Sequence, residues 1–189
     1  MGNNVLGAEG IVIHGDKIVL GMQKKKRWYI LENGEKAAIV KTLGGAIEDI
    51  DKNNTRNALI REILEEVKDI KEKDINVSEE PIFTKEIEMR ELNPYEQDST
   101  LKMKADFYAV EIPENIKLKP NDLPALIEIP IDEFLKISIS TNLSLHTVKN
   151  YIIKSKIEAE TPKNCAIMLP KEIQHFLEEF MNKIEKLSL

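Results

Sequence analysis

Apolar positions along the chain change period twice. In the first third they come as short runs. Ile11-Val12-Ile13 and Ile18-Val19-Leu20 flank His14-Gly15-Asp16-Lys17, which predicts a hairpin over residues 9–22. Trp28-Tyr29-Ile30-Leu31 and Ala37-Ala38-Ile39-Val40 flank Glu32-Asn33-Gly34-Glu35, and the Asn-Gly pair predicts a second hairpin. A helical period takes over from about Thr55 to Lys71. Strands are predicted over residues 82–91 and 99–112. In the latter, Leu101, Met103, Ala105, Phe107 and Ala109 alternate with Lys102, Lys104, Asp106 and Tyr108. Pro113, Pro120, Pro124 and Pro130 punctuate a connection, and a short helix follows over Ile131–Ile137.

The tail, residues 141–189, reads as helical. Thr141 or Ser144 would cap a helix carrying Leu145, Val148, Tyr151 and Ile152. From Pro170 onward, Ile173, Phe176, Leu177, Phe180, Met181, Ile184 and Leu187 recur at helical spacing. An isolated helix of this length is marginal in water, so the stripe needs cover. That cover is either the preceding domain or a second subunit in a homodimer.

Composition narrows the setting. The chain has 189 residues, of which 42% are hydrophobic and 32% charged, as expected of a globular domain. No apolar run approaches the length of a membrane span, so no membrane partner is expected. The absence of a secretory pattern and the single cysteine, Cys165, fit a cytoplasmic protein and exclude a disulfide framework or multi-cysteine zinc site. The net charge of −6 argues against general nucleic-acid binding. All eight glycines lie at or before Gly45, so tight turns and close backbone approach concentrate in the first quarter.

The chemistry concentrates in Gly44–Ile70. On the predicted helix, Leu59, Ile60, Ile63, Leu64, Val67 and Ile70 form an apolar stripe, and Glu62, Glu65, Glu66 and Asp69 a separate acidic one. The pairs Glu62/Glu66 and Glu65/Asp69 repel at i,i+4, at roughly 0.2–0.5 kcal/mol each. Arg61 reaches Glu65 at i+4 and compensates only one of the four acids. An acidic helix face is commonly just solvated. Carboxylates on one face are also the hard oxygen ligands that Mg²⁺ or Mn²⁺ prefers. The upstream Gly44-Gly45 pair favours the metal reading, because glycine lets backbone carbonyls approach a ligand.

This segment resembles the Nudix box, Gly-x5-Glu-x7-Arg-Glu-U-x-Glu-Glu-x-Gly-U, with U aliphatic. Arg61-Glu62-Ile63-Leu64-Glu65-Glu66 matches its core residue for residue, and Gly44-Gly45-Ala46-Ile47-Glu48 matches its opening. The resemblance spans roughly residues 5–140 and includes Leu126-Ile127-Glu128-Ile129-Pro130-Ile131-Asp132-Glu133-Phe134, similar to the family's late strand and short helix. It departs in several places, and Leu43 stands where a proline is common before the glycine pair. The box glutamate falls on Asp51, with nine residues instead of seven before Arg61. The glycine after Glu-Glu-x is Lys68, and the final aliphatic is Asp69.

The resemblance implies an α/β fold, a Nudix-type α/β/α sandwich with a mixed sheet over residues 1–140, followed by a C-terminal helical extension over 141–189. It implies a metal-dependent pyrophosphohydrolase acting on a small-molecule phosphoanhydride, such as a nucleoside diphosphate linked to another group. Glu62, Glu65, Glu66 and the Gly44 carbonyl would hold Mg²⁺ or Mn²⁺, and Arg61 would fix a box glutamate. Glu96, in the loop Pro94–Asp98, is a candidate extra carboxylate, and Lys24 and Arg27 are candidate phosphate contacts. Two other readings stand beside this one. One is a catalytically inactive Nudix-fold nucleotide-binding module, favoured if the altered loop displaces the ligands. The other is an assembly protein working through its tail.

Overall fold

A computed structural model describes residues 5–30, 34–88, 102–137, 143–144, 152–154, 164–167 and 169–187. Both hairpins form. β1 (Val5–His14) turns at Gly15-Asp16 into β2 (Lys17–Met22), with Val12 opposite Val19. β3 (Tyr29–Ile30) pairs antiparallel with β4 (Lys36–Lys41). β5 (Leu43–Ala46) then runs back along the first half of β1 and sets Gly44 opposite Glu9. After α1 (Thr55–Glu66) come β6 (Asn76–Val77), β7 (Phe83–Glu88), β8 (Lys102–Ile112), β9 (Ala125–Pro130) and α2 (Ile131–Lys136). β8 lies parallel to β1 along its whole length, from Val5 opposite Met103 to His14 opposite Ile112. The sheet is therefore mixed.

Alternation along the strands divides the core into two layers. Ile11, Ile13, Ile18, Leu20 and Phe107 face α2 and the last helix. Ala8, Val12, Val19 and Val110 face Leu59, Ile63 and Val67 at the other side, where α1 lies. The result is a mixed sheet between helices, as the sequence predicts.

The tail departs from expectation. Ser144 belongs to β10 (Leu143–Ser144) and Ile152 to β11 (Ile152–Lys154), not to a helix. β12 (Asn164–Ile167) follows. β11 pairs with β9, and β12 inserts between β10 and β4, parallel to β4. Strand edges carry unpaired backbone groups, and these segments satisfy them where a helix would not. Thr141, Leu145, Val148 and Tyr151 lie outside the described residues.

The final helix, α3 (Lys171–Leu187), forms where its stripe predicts. Ile173 and Leu177 are fully buried in the same core layer as Ile11 and Phe107, with Phe176, Phe180 and Met181 half-buried around them. The chain itself covers Ile173 and Leu177 and partly covers Phe176, Phe180 and Met181. The side chains of Ile184 and Leu187 lie outside the described residues. Leu177→Ala should lower unfolding free energy by about 2–5 kcal/mol without changing oligomeric state, read by denaturant unfolding and light scattering. A stable variant that dissociates from a dimer would show that the cover comes from a second copy.

Candidate active site

The acidic helix is shorter than its periodicity. α1 stops at Glu66, with Val67 already extended. The Lys68 N–H donates to the Lys119 carbonyl, and Asp69 adopts φ +63° where the box has its glycine one position earlier. Asp69 therefore lies beyond the helix that carries the acidic stripe, and it pairs with Lys119 at 3.6 Å. The segment beside Lys119 closes the helix end: Asn121 donates its backbone N–H to Glu66 O and its side-chain amide to Glu65 O. At the other end Asn54 caps the Asn57 N–H, and the Thr55 hydroxyl donates to Asp106 at 2.9 Å. Both termini of the helix carrying the carboxylates are fixed.

Gly44 and Gly45 are required where they stand. Gly44 has φ +143°, and a Cβ there would lie 2.2 Å from the Ala8 carbonyl oxygen. A Cβ on Gly45 would lie 2.5 Å from a Glu62 carboxylate oxygen. The pair thus brings β5 against both β1 and α1, and sets Glu62 over the bare backbone of Gly45. Glu66 points inward, where its carboxylate accepts the Gly44 N–H at 3.2 Å. Glu65 remains outside, 56% exposed.

Arg61 organises the loop side of this cluster. Its Nε and Nη2 donate to the two oxygens of Asp51, each at 3.1 Å, in the fork-to-fork arrangement that suits a carboxylate. Nη1 donates to Glu62 at 2.9 Å and to Glu65 at 3.3 Å, and Nη2 also reaches the Ala46 carbonyl. The i+4 contact to Glu65 predicted from sequence exists, but the principal partner is Asp51, only 4% exposed. The two additional loop residues explain how Asp51 arrives there. Lys52 and Asn53 take consecutive left-handed conformations, φ +53° and +59°, and fold the excess length between Asp51 and the cap Asn54. The loop is longer, yet the box contact is kept.

A second charged pair lies deeper. Glu9, on β1, and Lys41, ending β4, are both buried. Lys41 Nζ donates to the Glu9 oxygens at 2.9 and 3.2 Å and to the Gly44 carbonyl at 3.0 Å, and the Thr42 hydroxyl donates to Glu9 at 2.6 Å. Sequence reasoning missed both residues. The available signal was one charge in each of two otherwise apolar strands, Ala8–Ile13 and Ala37–Lys41.

Protonation follows from these contacts. Burial pushes the Glu66 carboxyl up to about 8, against the opposing pull of Lys41, with Glu9 and Glu62 adding to the rise. Burial also raises Glu62, although Arg61 opposes it. The Arg61 hydrogen bonds hold Asp51 below the usual carboxylate range. Burial alone would lower Lys41, but the charges of Glu9 and Glu66 outweigh it and its pKa rises.

Lys24 and Arg27 sit near this cluster without entering it. Lys24 pairs with Asp122, next to the helix-closing Asn121, and Arg27 donates to Gln23 while its charge reaches Lys41. Glu96 lies outside the described residues. Among the described residues, no three Asp, Glu, His or Cys side chains are gathered as a ready-made metal cage. The donor set nonetheless fits a hard cation. Glu62 lies against Gly45 and Glu66 against Gly44, and carboxylate oxygens are the ligands such a cation takes.

No protein-family model matches the sequence, and no curated protein does. Solved structures do match. A hydrolase of the NUDIX family from Clostridium perfringens aligns over 96% of this chain and 99% of its own, with 13% identity and a TM-score of 0.52. The dihydroneopterin triphosphate pyrophosphohydrolase of E. coli aligns over 71% of this chain and 86% of its own, with 12% identity and a TM-score of 0.50. A protein from Jonesia denitrificans, described as a possible asymmetric diadenosine tetraphosphate hydrolase, aligns over 70% of this chain and 80% of its own, with 15% identity and a TM-score of 0.50. At these identities the likeness is one of architecture, and it extends into the C-terminal part in the first case. It establishes that the chain has the fold of the Nudix hydrolases.

Proposed function

We propose that the chain is a divalent-cation-dependent Nudix hydrolase that splits a phosphoanhydride bond in a small nucleotide-like substrate. The observation that carries this reading is the Arg61–Asp51 clasp. It anchors the longer loop to the helix that sets Glu62 against Gly45 and Glu66 on the Gly44 N–H. Two fold neighbours support the substrate class by their names, one a dihydroneopterin triphosphate pyrophosphohydrolase and the other described as a possible diadenosine tetraphosphate hydrolase.

Glu62, Glu65 and Glu66 would hold Mg²⁺ or Mn²⁺, with the Gly44 carbonyl beside them. When bound, the cation neutralises phosphate charge and makes water a better nucleophile. The rest falls to the chain. Arg61 keeps Glu62 and Glu65 in fixed positions through Nη1. One of the glutamates, or a carboxylate from a later loop such as Glu96, would accept the proton of the attacking water. Lys24 and Arg27 supply positive charge at the rim for the substrate's outer phosphates. A cytoplasmic setting is part of the proposal. Among the described residues, no helix is long and apolar enough to cross a membrane.

An inactive module would be favoured if the longer loop displaced the carboxylates; the Arg61–Asp51 clasp, kept across that loop, supports the hydrolase reading. The test is a substrate screen over nucleotide sugars, ADP-ribose, dinucleoside polyphosphates and nucleoside triphosphates, with Mg²⁺ and with Mn²⁺, followed by anion-exchange chromatography. Cleavage of at least one class by the parent, lost in Glu62→Gln and in EDTA, is expected. Nucleotide binding with no turnover on any class would support the inactive module instead.

A further inference from the structure

The Glu9–Lys41 pair has no role in the reading above, although it touches the site directly. We propose that Lys41 is a resident cation of the site: its ammonium group occupies the Gly44 carbonyl and Glu9, two oxygen ligands otherwise open to a metal ion, and thereby weakens and limits metal binding. This rests on the metal-dependent reading and deepens it.

Three strands converge to build the arrangement. Glu9 comes from β1, Lys41 from the end of β4 and Gly44 from β5. Lys41 is 8% exposed and Glu9 2%, so the pair is held away from solvent. Lysines are rarely buried this deeply unless paired. A lysine ammonium is a compact point charge with three donors. Here it spends them on the two Glu9 oxygens and the Gly44 carbonyl, all between 2.9 and 3.2 Å. The remaining demand of Glu9 is met by the Thr42 hydroxyl.

The same peptide that gives its carbonyl to Lys41 gives its N–H to Glu66. Gly44 therefore couples the lysine to the innermost helix carboxylate. Carboxylates and a backbone carbonyl around one point form the oxygen set a hard divalent ion seeks. The Lys41 ammonium takes up that point from inside the protein. A divalent ion is left with Glu62, Glu65 and Glu66 on the helix side, and it binds against the repulsion of a positive charge one peptide group away.

The test uses the full-length chain and Mn²⁺ alone, followed by electron paramagnetic resonance and calorimetry. The variants are Lys41→Met, which removes charge and donors, and Lys41→Gln, which removes the charge and keeps an amide donor. Both should bind Mn²⁺ more tightly than the parent, by roughly tenfold or more, as expected for removing a nearby unit charge. Lys41→Met should also gain more melting temperature from saturating Mn²⁺ than the parent does, because Glu9 becomes available. Circular dichroism establishes that each variant is folded, and Lys41→Gln keeps the test valid if Lys41→Met is not. A parent that binds Mn²⁺, with folded variants that bind it equally or less tightly, overturns the resident-cation role alone. No Mn²⁺ binding by parent or variants overturns that role together with the metal-dependent reading.

Discussion

Glu66→Gln is expected to remove hydrolysis and, in EDTA, to make the chain more stable at pH 8.5. Loss of turnover should be at least about a hundredfold, the upper range seen when a group that only supports a metal ligand is removed. The stability gain follows from linkage. Glu66 has a folded pKa of about 8 against an ordinary value of 4.5. A carboxyl whose folded pKa is raised binds its proton more tightly in the folded state. Its favourable contribution is complete below about pH 4.5 and is lost as pH rises through about 8. The difference is on the order of 4 kcal/mol. Metal-free parent should therefore lose stability between pH 5.5 and 8.5. Glutamine keeps an acceptor for the Gly44 N–H and carries no charge, so the variant should be nearly flat over that interval. Urea unfolding in EDTA at the two pH values measures both. A variant that loses stability as steeply as the parent would show that another group titrates.

Arg61→Ala should cost about 1–3 kcal/mol, because it leaves the Asp51 carboxylate without its charged hydrogen-bond partner. Asp51 contributes the opposite pH dependence from Glu66. Its pKa is lowered in the fold, so its stabilisation is present above the ordinary carboxylate value and lost as pH falls through the folded one. Arg61→Lys keeps the charge but has no planar fork to meet both Asp51 oxygens. It should fall between parent and Arg61→Ala in stability and lower turnover less than Glu66→Gln does. The double variant Asp51→Asn/Arg61→Ala should lose less than the sum of the two single changes, since it leaves no unpaired charge behind. Additive losses would mean that the two side chains act independently, and the clasp would carry no energy.

Local signals in the sequence located what local contacts build. The hairpin at Gly15-Asp16, the start of α1 after Asn54 and the acidic positions 62, 65 and 66 depend on neighbours within a few residues. What escaped depends on distant ones. Lys41 and Glu9 are separated by 32 positions, and nothing near either reveals its partner. The end of α1 is set by Lys119 and Asn121, so periodicity alone carries the helix too far. Ser144 and Ile152 read as helical because two- and three-residue strands have no period to show, and β9 and β12 supply their pairing. Asp51 was located at its box position by counting, but its partner was not, since the turn at Lys52-Asn53 that delivers it to Arg61 leaves no periodic trace.

The parallel pairing of β12 with β4 bears on how the chain is made. Ala37, Ala38, Ile39 and Val40 leave the ribosome long before Asn164–Ile167, which line one flank of that strand. Throughout that interval an apolar strand flank stands open, the kind of edge that recruits other chains. Closing it brings together segments more than a hundred residues apart, and loop closure of that order is slow beside helix or hairpin formation. Synthesis thus leaves a window in which the growing polypeptide is vulnerable to self-association, and the window shuts only when the last strand arrives.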